Sequence, residues 1–596
     1  MDQPDPRAAD EVTRELGAAV ERASVEARTL LEQYAGTLAD GMPGLDPMGV
    51  IASFQTLGLR LLSDPMPFWW AQVDAARASM GAWQHAMDRM MGLERHAPEL
   101  PQSADKRFRD PEWSANPLFE FIRATYQIYA NALLRLALGA DGLDEHVARK
   151  VEFYTRQFVD AMAPTNFALT NPEVLRATVE SGGANLVEGL RHFLEDLDPA
   201  TGQLRTRMVD TSGFRLGENI ATSPGAVVFQ NELMQLLQYA PSTARVRQRP
   251  LLIIPPWINK FYVLDLQAKN SFIRWAVAQG HTVFVISWVN PDASLRDKDF
   301  ADYMLQGPLA ALDAIAAATG ERDVNAIGYC IGGTLLGATL AYMQARGDDR
   351  IRSATFFTAM LDFTEPGDLG VFIDEQQISH LEQSMAKTGY LDGKEMASTF
   401  NLLRANDLIW SFVVNNYLLG KDPAPFDLLF WNSDSTRMPA CMHSTYLRNM
   451  YQENRLCQPG GMTINDTPLD LRAITVPACF VSTLEDHIAP WKSTYRGAQL
   501  LGGDVTFMLG KAGHVAGIIN PPGPRAYAHL QGPAPRTRNA DEWLSAATST
   551  PGSWWESWDA WAAHFAGGEV AARDPGAGAL PVIEAAPGSY VKVRVA

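Results

Sequence analysis

Cysteine is scarce in this chain: Cys330, Cys441, Cys457 and Cys479 are the only four in 596 residues. No two of them form a C-x-x-C pair, and so few in so long a chain cannot frame a disulfide-stabilised fold. Long apolar runs are missing too. No stretch of ~18 apolar residues occurs, so no membrane-spanning helix is expected. Met1 to Glu15 mixes Asp, Glu, Arg and Pro where a signal peptide needs an apolar core. Positive charge is in deficit, with 50 Lys and Arg against 68 Asp and Glu and a formal net charge of −18. A field of that sign argues against non-specific nucleic-acid binding. It also means that an anionic substrate needs a local basic entrance. Tandem repeats and long blocks of one charge are absent. A soluble, cytoplasmic protein with reduced thiols is expected, three of the four cysteines reading as small buried apolar residues.

What is present is a large apolar complement. Hydrophobic residues make up 46% of the chain and aromatics 10%, with 15 Trp, ample for a sizeable core. The length suggests two or three structural units. Residues 1–105 read as a variable helical segment, with helical spacing over Glu11 to Gly36 and Trp69 to Met91. Residues 106–215 read as a helical accessory domain, with helices over Pro117 to Leu138 and His146 to Met162. From residue 216 short β-like runs alternate with helical stretches. The expected strands are Leu251 to Ile254, His281 to Trp288, Val324 to Ile327, Ile351 to Thr358, Val476 to Thr483 and Val505 to Leu509. Helices are expected over Leu264 to Gln279, Asp299 to Thr319, Thr334 to Ala345 and Trp491 to Leu501. Such alternation implies parallel βαβ units. It is interrupted over residues 361–473, too long for a plain loop and therefore read as an inserted cap.

One motif carries chemistry. Gly328-Tyr329-Cys330-Ile331-Gly332-Gly333 follows an expected strand and opens an expected helix. This is the nucleophile-elbow arrangement of the α/β-hydrolase fold, with Cys in place of Ser. The turn is so sharp that glycine is wanted two residues before and two after the nucleophile. The Ile331 amide, in the new helix's first turn, is placed to donate to an oxyanion, a contribution of roughly 3 to 4 kcal/mol in a transition state. An acid and then a histidine should follow in chain order. Asp486 and His514 each follow an expected strand, where active-site loops collect in open α/β sheets. Glu485 and His487 are their local rivals. A second oxyanion amide is sought in the loop Pro256-Trp257-Ile258-Asn259-Lys260, with Ile258 the candidate. Cysteine leans toward transfer over hydrolysis, because an acyl group moved from a CoA thioester to a thiol stays activated for an alcohol acceptor.

The chain resembles the polyhydroxyalkanoate synthases, in particular the single-subunit, short-chain class I, poly(3-hydroxybutyrate) polymerase type. The matching segments include Trp113 to Phe119, Gly217 to Asn219, Pro255 to Tyr262 and Ser287 to Asp292, besides the elbow. Further matches are Asn401 to Arg404, Phe430 to Asp434, Asp486 to Trp491, Gly513 to Gly517 and Pro551 to Trp555. The likeness covers roughly residues 105–596. It implies an α/β-hydrolase catalytic domain over residues 216–596, with an inserted cap and a preceding α-helical N-terminal domain. It implies Cys330 as nucleophile, His514 as base and Asp486 as third member, acting on (R)-3-hydroxyacyl-CoA to extend a polyester chain with release of CoA. Neither cofactor nor metal is implied. A homodimer, attachment to cytoplasmic polyhydroxyalkanoate granules and phasins as partners are implied as well. Arg404, Trp431, Tyr446 and His487 become substrate-side candidates by the same resemblance. A cysteine hydrolase of the same fold and a non-catalytic granule-coating protein remain the alternative readings of the residues themselves.

Overall fold

The computed structural model describes residues 47–93, 105–139, 143–199, 202 and 204–594. The helix expected over Glu11 to Gly36 lies outside the described residues. The chain forms two compact units, one of residues 1–210 with 398–424 and the other of residues 211–397 with 425–596. The inserted stretch is therefore divided between them.

The first unit is helical. Its elements are α1 (Pro47–Ser63), α2 (Met66–Met90), α3 (Pro117–Leu138), α4 (Glu145–Ala161), α5 (Pro172–Glu180) and α6 (Ala184–Asp196). Local chemistry sets the starts. The Asn116 side chain accepts from the Leu118 amide ahead of Pro117, and Asp144 accepts from the amides of His146 and Val147. Small residues let α2 and α3 approach closely, with Ala75 and Ala82 against Ala124 and Ile128. The segment 398–424 is stitched in by polar contacts. Asn185 donates to the Leu418 carbonyl at 2.8 Å, and the Tyr417 hydroxyl donates to Asp196 at 2.8 Å. A Cβ at Gly189 would fall 1.9 Å from the Tyr417 carbonyl oxygen, so only glycine fits there.

The second unit is built on one 11-stranded sheet. In chain order its strands are β1 (Gly225–Gln230), β2 (Met234–Tyr239), β3 (Leu251–Ile254), β4 (Val283–Trp288), β5 (Val324–Tyr329), β6 (Ile351–Phe357), β7 (Ala478–Thr483), β8 (Val505–Gly510), β9 (His529–Pro533), β10 (Thr548–Thr550) and β11 (Glu584–Ala585). Across the sheet the order is β10-β9-β8-β7-β6-β5-β3-β4-β2-β1-β11. The centre, from β8 to β4, is parallel, and the strands on either side pair antiparallel. β3, β4, β5 and β7 are buried along their whole length, which is why they read as mostly apolar runs rather than alternating ones. The helix after β5, α7 (Ile331–Arg346), is buried along most of its length.

Two expectations change on folding. The stretch Leu264 to Gln279 holds a helix only over Phe272–Ala278, where the Ser271 hydroxyl accepts from the Arg274 amide and starts the helix late. Asp299 to Thr319 is helical, but Pro308 lies inside a π turn, Leu305–Leu309, which absorbs the missing N–H.

Candidate active site

The strand-to-helix turn at the end of β5 forces Cys330 into φ +53°, ψ −125°, a region that side chains rarely occupy. The Cys330 amide donates to the Phe357 carbonyl at 2.8 Å, pinning the turn to the end of β6. The flanking glycines are obligatory for space. A Cβ at Gly328 would meet the Gly333 Cα at 2.5 Å, and one at Gly332 would meet the Ile254 carbonyl oxygen at 2.2 Å. The second contact shows that the start of α7 and the loop after β3 press directly on each other.

Three loops at the carboxyl ends of β5, β7 and β8 bring Cys330, Asp486 and His514 together. His514 Nδ1 faces Asp486 Oδ2 at 2.7 Å. The other Asp486 oxygen, Oδ1, accepts from the amides of Ile488 at 2.9 Å and Ala489 at 2.8 Å. Asp486 and His514 are each 7% exposed. Glu485, its rival in sequence, is exposed. The His514 imidazole also lies close enough to the Cys330 sulfur to be influenced by its charge. Burial by itself would lower the His514 pKa, but the Asp486 carboxylate and the Cys330 sulfur outweigh it and hold the imidazole well above its ordinary value. The Tyr329 ring stacks on the imidazole, centroids 5.9 Å apart and planes 22° from parallel, so the histidine cannot swing away on that side. The arrangement holds a half-buried thiol, a buried imidazole and a buried carboxylate together, groups that can carry acyl transfer through a covalent intermediate.

Comparison with known proteins bears on this arrangement. Residues 104–276 match the family described as the poly-beta-hydroxybutyrate polymerase (PhaC) N-terminus, and residues 249–521 match the alpha/beta hydrolase fold. The chain is 52% identical over 533 residues to the poly(3-hydroxyalkanoate) polymerase subunit PhaC of Rhizobium meliloti, covering 89% of this chain and 87% of that protein. It is 50% identical to the poly(3-hydroxyalkanoate) polymerase of Methylorubrum extorquens, covering 89% and 88%. Against the PhaC subunit of Cupriavidus necator it is 39% identical, covering 93% and 92%. The chain belongs to the poly(3-hydroxyalkanoate) polymerase family. The matched hydrolase fold spans the strand-to-helix turn and both loops that carry Asp486 and His514.

Of the two amides expected to stabilise an oxyanion, that of Ile331 directly follows Cys330 in the chain. Ile331 is the first residue of α7, so its N–H has no partner within the helix. Ile258 is half-buried, and both it and Cys330 pack on the main hydrophobic core. The substrate-side candidates of this polymerase-family chain are more scattered. Tyr446 is buried, its ring beside that of Tyr451 and close enough to Cys330 to be influenced by its charge. Burial, then the neighbouring Tyr451 and Cys330, push its phenol well above the ordinary value, so it stays a neutral hydroxyl. Trp431 is buried, and its indole N–H donates to the Lys260 carbonyl at 2.7 Å. His487 is half-buried next to Asp486. Arg404 belongs to the first unit, where its guanidinium pairs with Asp407.

Tyr451 was not apparent from sequence. It comes beside Tyr446 because Leu447–Gln452 forms a π turn, which brings residues five apart onto one face. Their rings lie 5.7 Å apart. Lys260 and Asp434 were also missed as a pair, although each lies in a family-like segment. The Lys260 ammonium sits 2.7 Å from Asp434 Oδ1, both side chains only 3% exposed. Of the remaining thiols, Cys479 is buried, Cys457 half-buried and Cys441 exposed, and burial raises the pKa of each.

Proposed function

We propose that this polyester synthase polymerises (R)-3-hydroxyacyl-CoA, with 3-hydroxybutyryl-CoA as the expected unit, through an acyl group carried on Cys330. The observation that supports the reading is the grouping of Cys330, His514 and Asp486, in a chain that the poly(3-hydroxyalkanoate) polymerases match over most of its length.

The cycle follows from the placement of the groups. His514 takes the Cys330 proton, and the thiolate attacks the thioester carbonyl. The amides of Ile331 and Ile258 donate to the oxyanion. CoA leaves as its thiol, taking the proton back from His514, and a new thioester joins the acyl group to Cys330. That exchange is close to isoenergetic. His514 then removes the proton from the hydroxyl of a chain end or an incoming unit, and the alkoxide oxygen attacks the acyl-Cys330. An ester bond forms, the thiolate leaves, and His514 returns its proton. Asp486 holds the imidazole in the tautomer that presents Nε2 to the sulfur. The neighbouring phenols of Tyr446 and Tyr451, both close enough to Cys330 to be influenced by its charge, offer neutral donors to the acyl chain. The protein acts in the cytoplasm as a homodimer at the surface of polyester granules, with phasins as neighbours.

Acid quenching during turnover tests the reading. A 3-hydroxybutyryl thioester on the peptide containing Cys330, absent from Cys330→Ala, is the expected result. Release of CoA with the adduct on a different residue would overturn it.

A further inference from the structure

We propose that Lys260 is a positioning residue that holds the loop after β3 in place for the Ile258 amide, and that the C-terminal tail is part of its grip. The inference rests on the reading of Ile258 as an oxyanion donor.

Ile258 lies in a loop whose carbonyls are held one after another. The Trp288 indole donates to the Pro255 carbonyl at 2.8 Å, and the Thr436 hydroxyl donates to the Trp257 carbonyl at 2.9 Å. The Trp431 indole donates to the Lys260 carbonyl at 2.7 Å. The inserted segment thus grips the loop on both sides of Ile258. Lys260 then ties the two together from its side chain. Its ammonium meets Asp434 Oδ1 at 2.7 Å and donates to the Val593 carbonyl at 2.8 Å. The other Asp434 oxygen accepts from the Tyr262 hydroxyl at 2.9 Å. The Val593 carbonyl also accepts from Asn290 at 3.3 Å. Arg594 lies over the Phe430 ring at 4.8 Å, which keeps the tail against the same segment.

Energetics favours a geometric role for this pair over a stabilising one. An ion pair this deeply buried typically gives little net stability over an apolar pair of the same volume, because desolvating both charges offsets their attraction. What it does supply is one fixed arrangement, an ion pair with a directed hydrogen bond at its ammonium end and another at its carboxylate end. An oxyanion donor needs that precision. A misplacement of about 1 Å near reacting atoms costs on the order of 10²-fold in rate.

Three variants test the proposal: Lys260→Met with Asp434→Leu in one chain, a chain ended after Lys592, and the two combined. Each is assayed for CoA release from (R)-3-hydroxybutyryl-CoA and for iodoacetamide alkylation at the Cys330 peptide, which needs the thiolate but no oxyanion hole. The expected result is a kcat lowered about 10²-fold with KM within about threefold of wild type. Alkylation of Cys330 keeps its wild-type rate and pH profile. The combined variant loses no more than either alone, as parts of one device do. A folded double variant whose kcat stays within about threefold of wild type overturns the proposal. So does alkylation that slows in step with kcat, since the effect would then act through the thiol and its base. If the wild-type chain itself releases no CoA, the reading of function fails and this inference falls with it.

Discussion

At the residue scale, the proposed chemistry depends on which tautomer and which thiol are in play. Asp486 accepts two backbone amides and faces His514 Nδ1, so an amide in its place would present N–H where the imidazole also carries one. Asp486→Asn is therefore expected to lower kcat for CoA release by about 10³- to 10⁴-fold, the scale seen when a triad orienter loses its charge. Residual acylation should outlast chain growth, which stopped-time analysis of acyl-Cys330 against polymer would reveal. Equal loss of both steps would contradict this and mean that acylation and chain growth depend on Asp486 to the same degree. The four thiols differ as sharply. Cys479 is fully buried and its pKa is raised, whereas Cys330 is half-buried beside the His514 imidazole. Peptide mapping after brief iodoacetamide treatment of the native protein should find Cys330 modified and Cys479 untouched. Comparable labelling of both would contradict the site. Cys330 was legible in the sequence because its constraints are local: a strand, a turn and glycines two residues either side. Tyr451 and the pairing of Lys260 with Asp434 were not, because they depend on a π turn and on contacts between distant segments.

At the scale of elements, the elbow is a joint between β3, β5 and α7. A methyl group at Gly332 would lie 2.2 Å from the Ile254 carbonyl oxygen and 2.7 Å from that of Pro255. Gly332→Ala must push α7 away from the loop after β3, at a cost of about 1–3 kcal/mol in stability. Activity should fall further than that loss explains, since the same movement parts the two amides proposed to hold the oxyanion. Denaturant unfolding together with CoA-release kinetics measures both, and an active, fully stable Gly332→Ala would show that the joint tolerates separation. The parallel centre of the sheet was legible as strand–helix alternation. The antiparallel flanks were not. β2 is buried throughout yet carries Gln235 and Gln238, whose polarity hides a core strand from any apolar pattern. Their side-chain N–H groups donate to distant partners, Gln235 to Glu584 and Ser589 and Gln238 to the Arg573 carbonyl.

At the scale of the whole molecule, folding buries titratable groups whose pKa shifts set a pH range for stability. Burial pushes the His443 imidazole down to about 4. Above about pH 6.5 the ring is neutral in both folded and unfolded chains and contributes no pH dependence. Below that value the unfolded chain binds the proton first, so stability is lost as pH falls, by about 3 kcal/mol near pH 4. His443→Phe should flatten this part of the curve in urea unfolding between pH 7 and 4. An unchanged slope would mean that the ring is protonated in the folded protein. Among the described residues no helix is long and apolar enough to cross a membrane. The most direct test of the central claim is CoA release from (R)-3-hydroxybutyryl-CoA, with mass analysis of the acyl product, on the wild type and on Cys330→Ala. The account predicts CoA release with long ester oligomers from the wild type and neither from the variant. Release accompanied only by free 3-hydroxybutyrate would contradict it and make the protein a hydrolase.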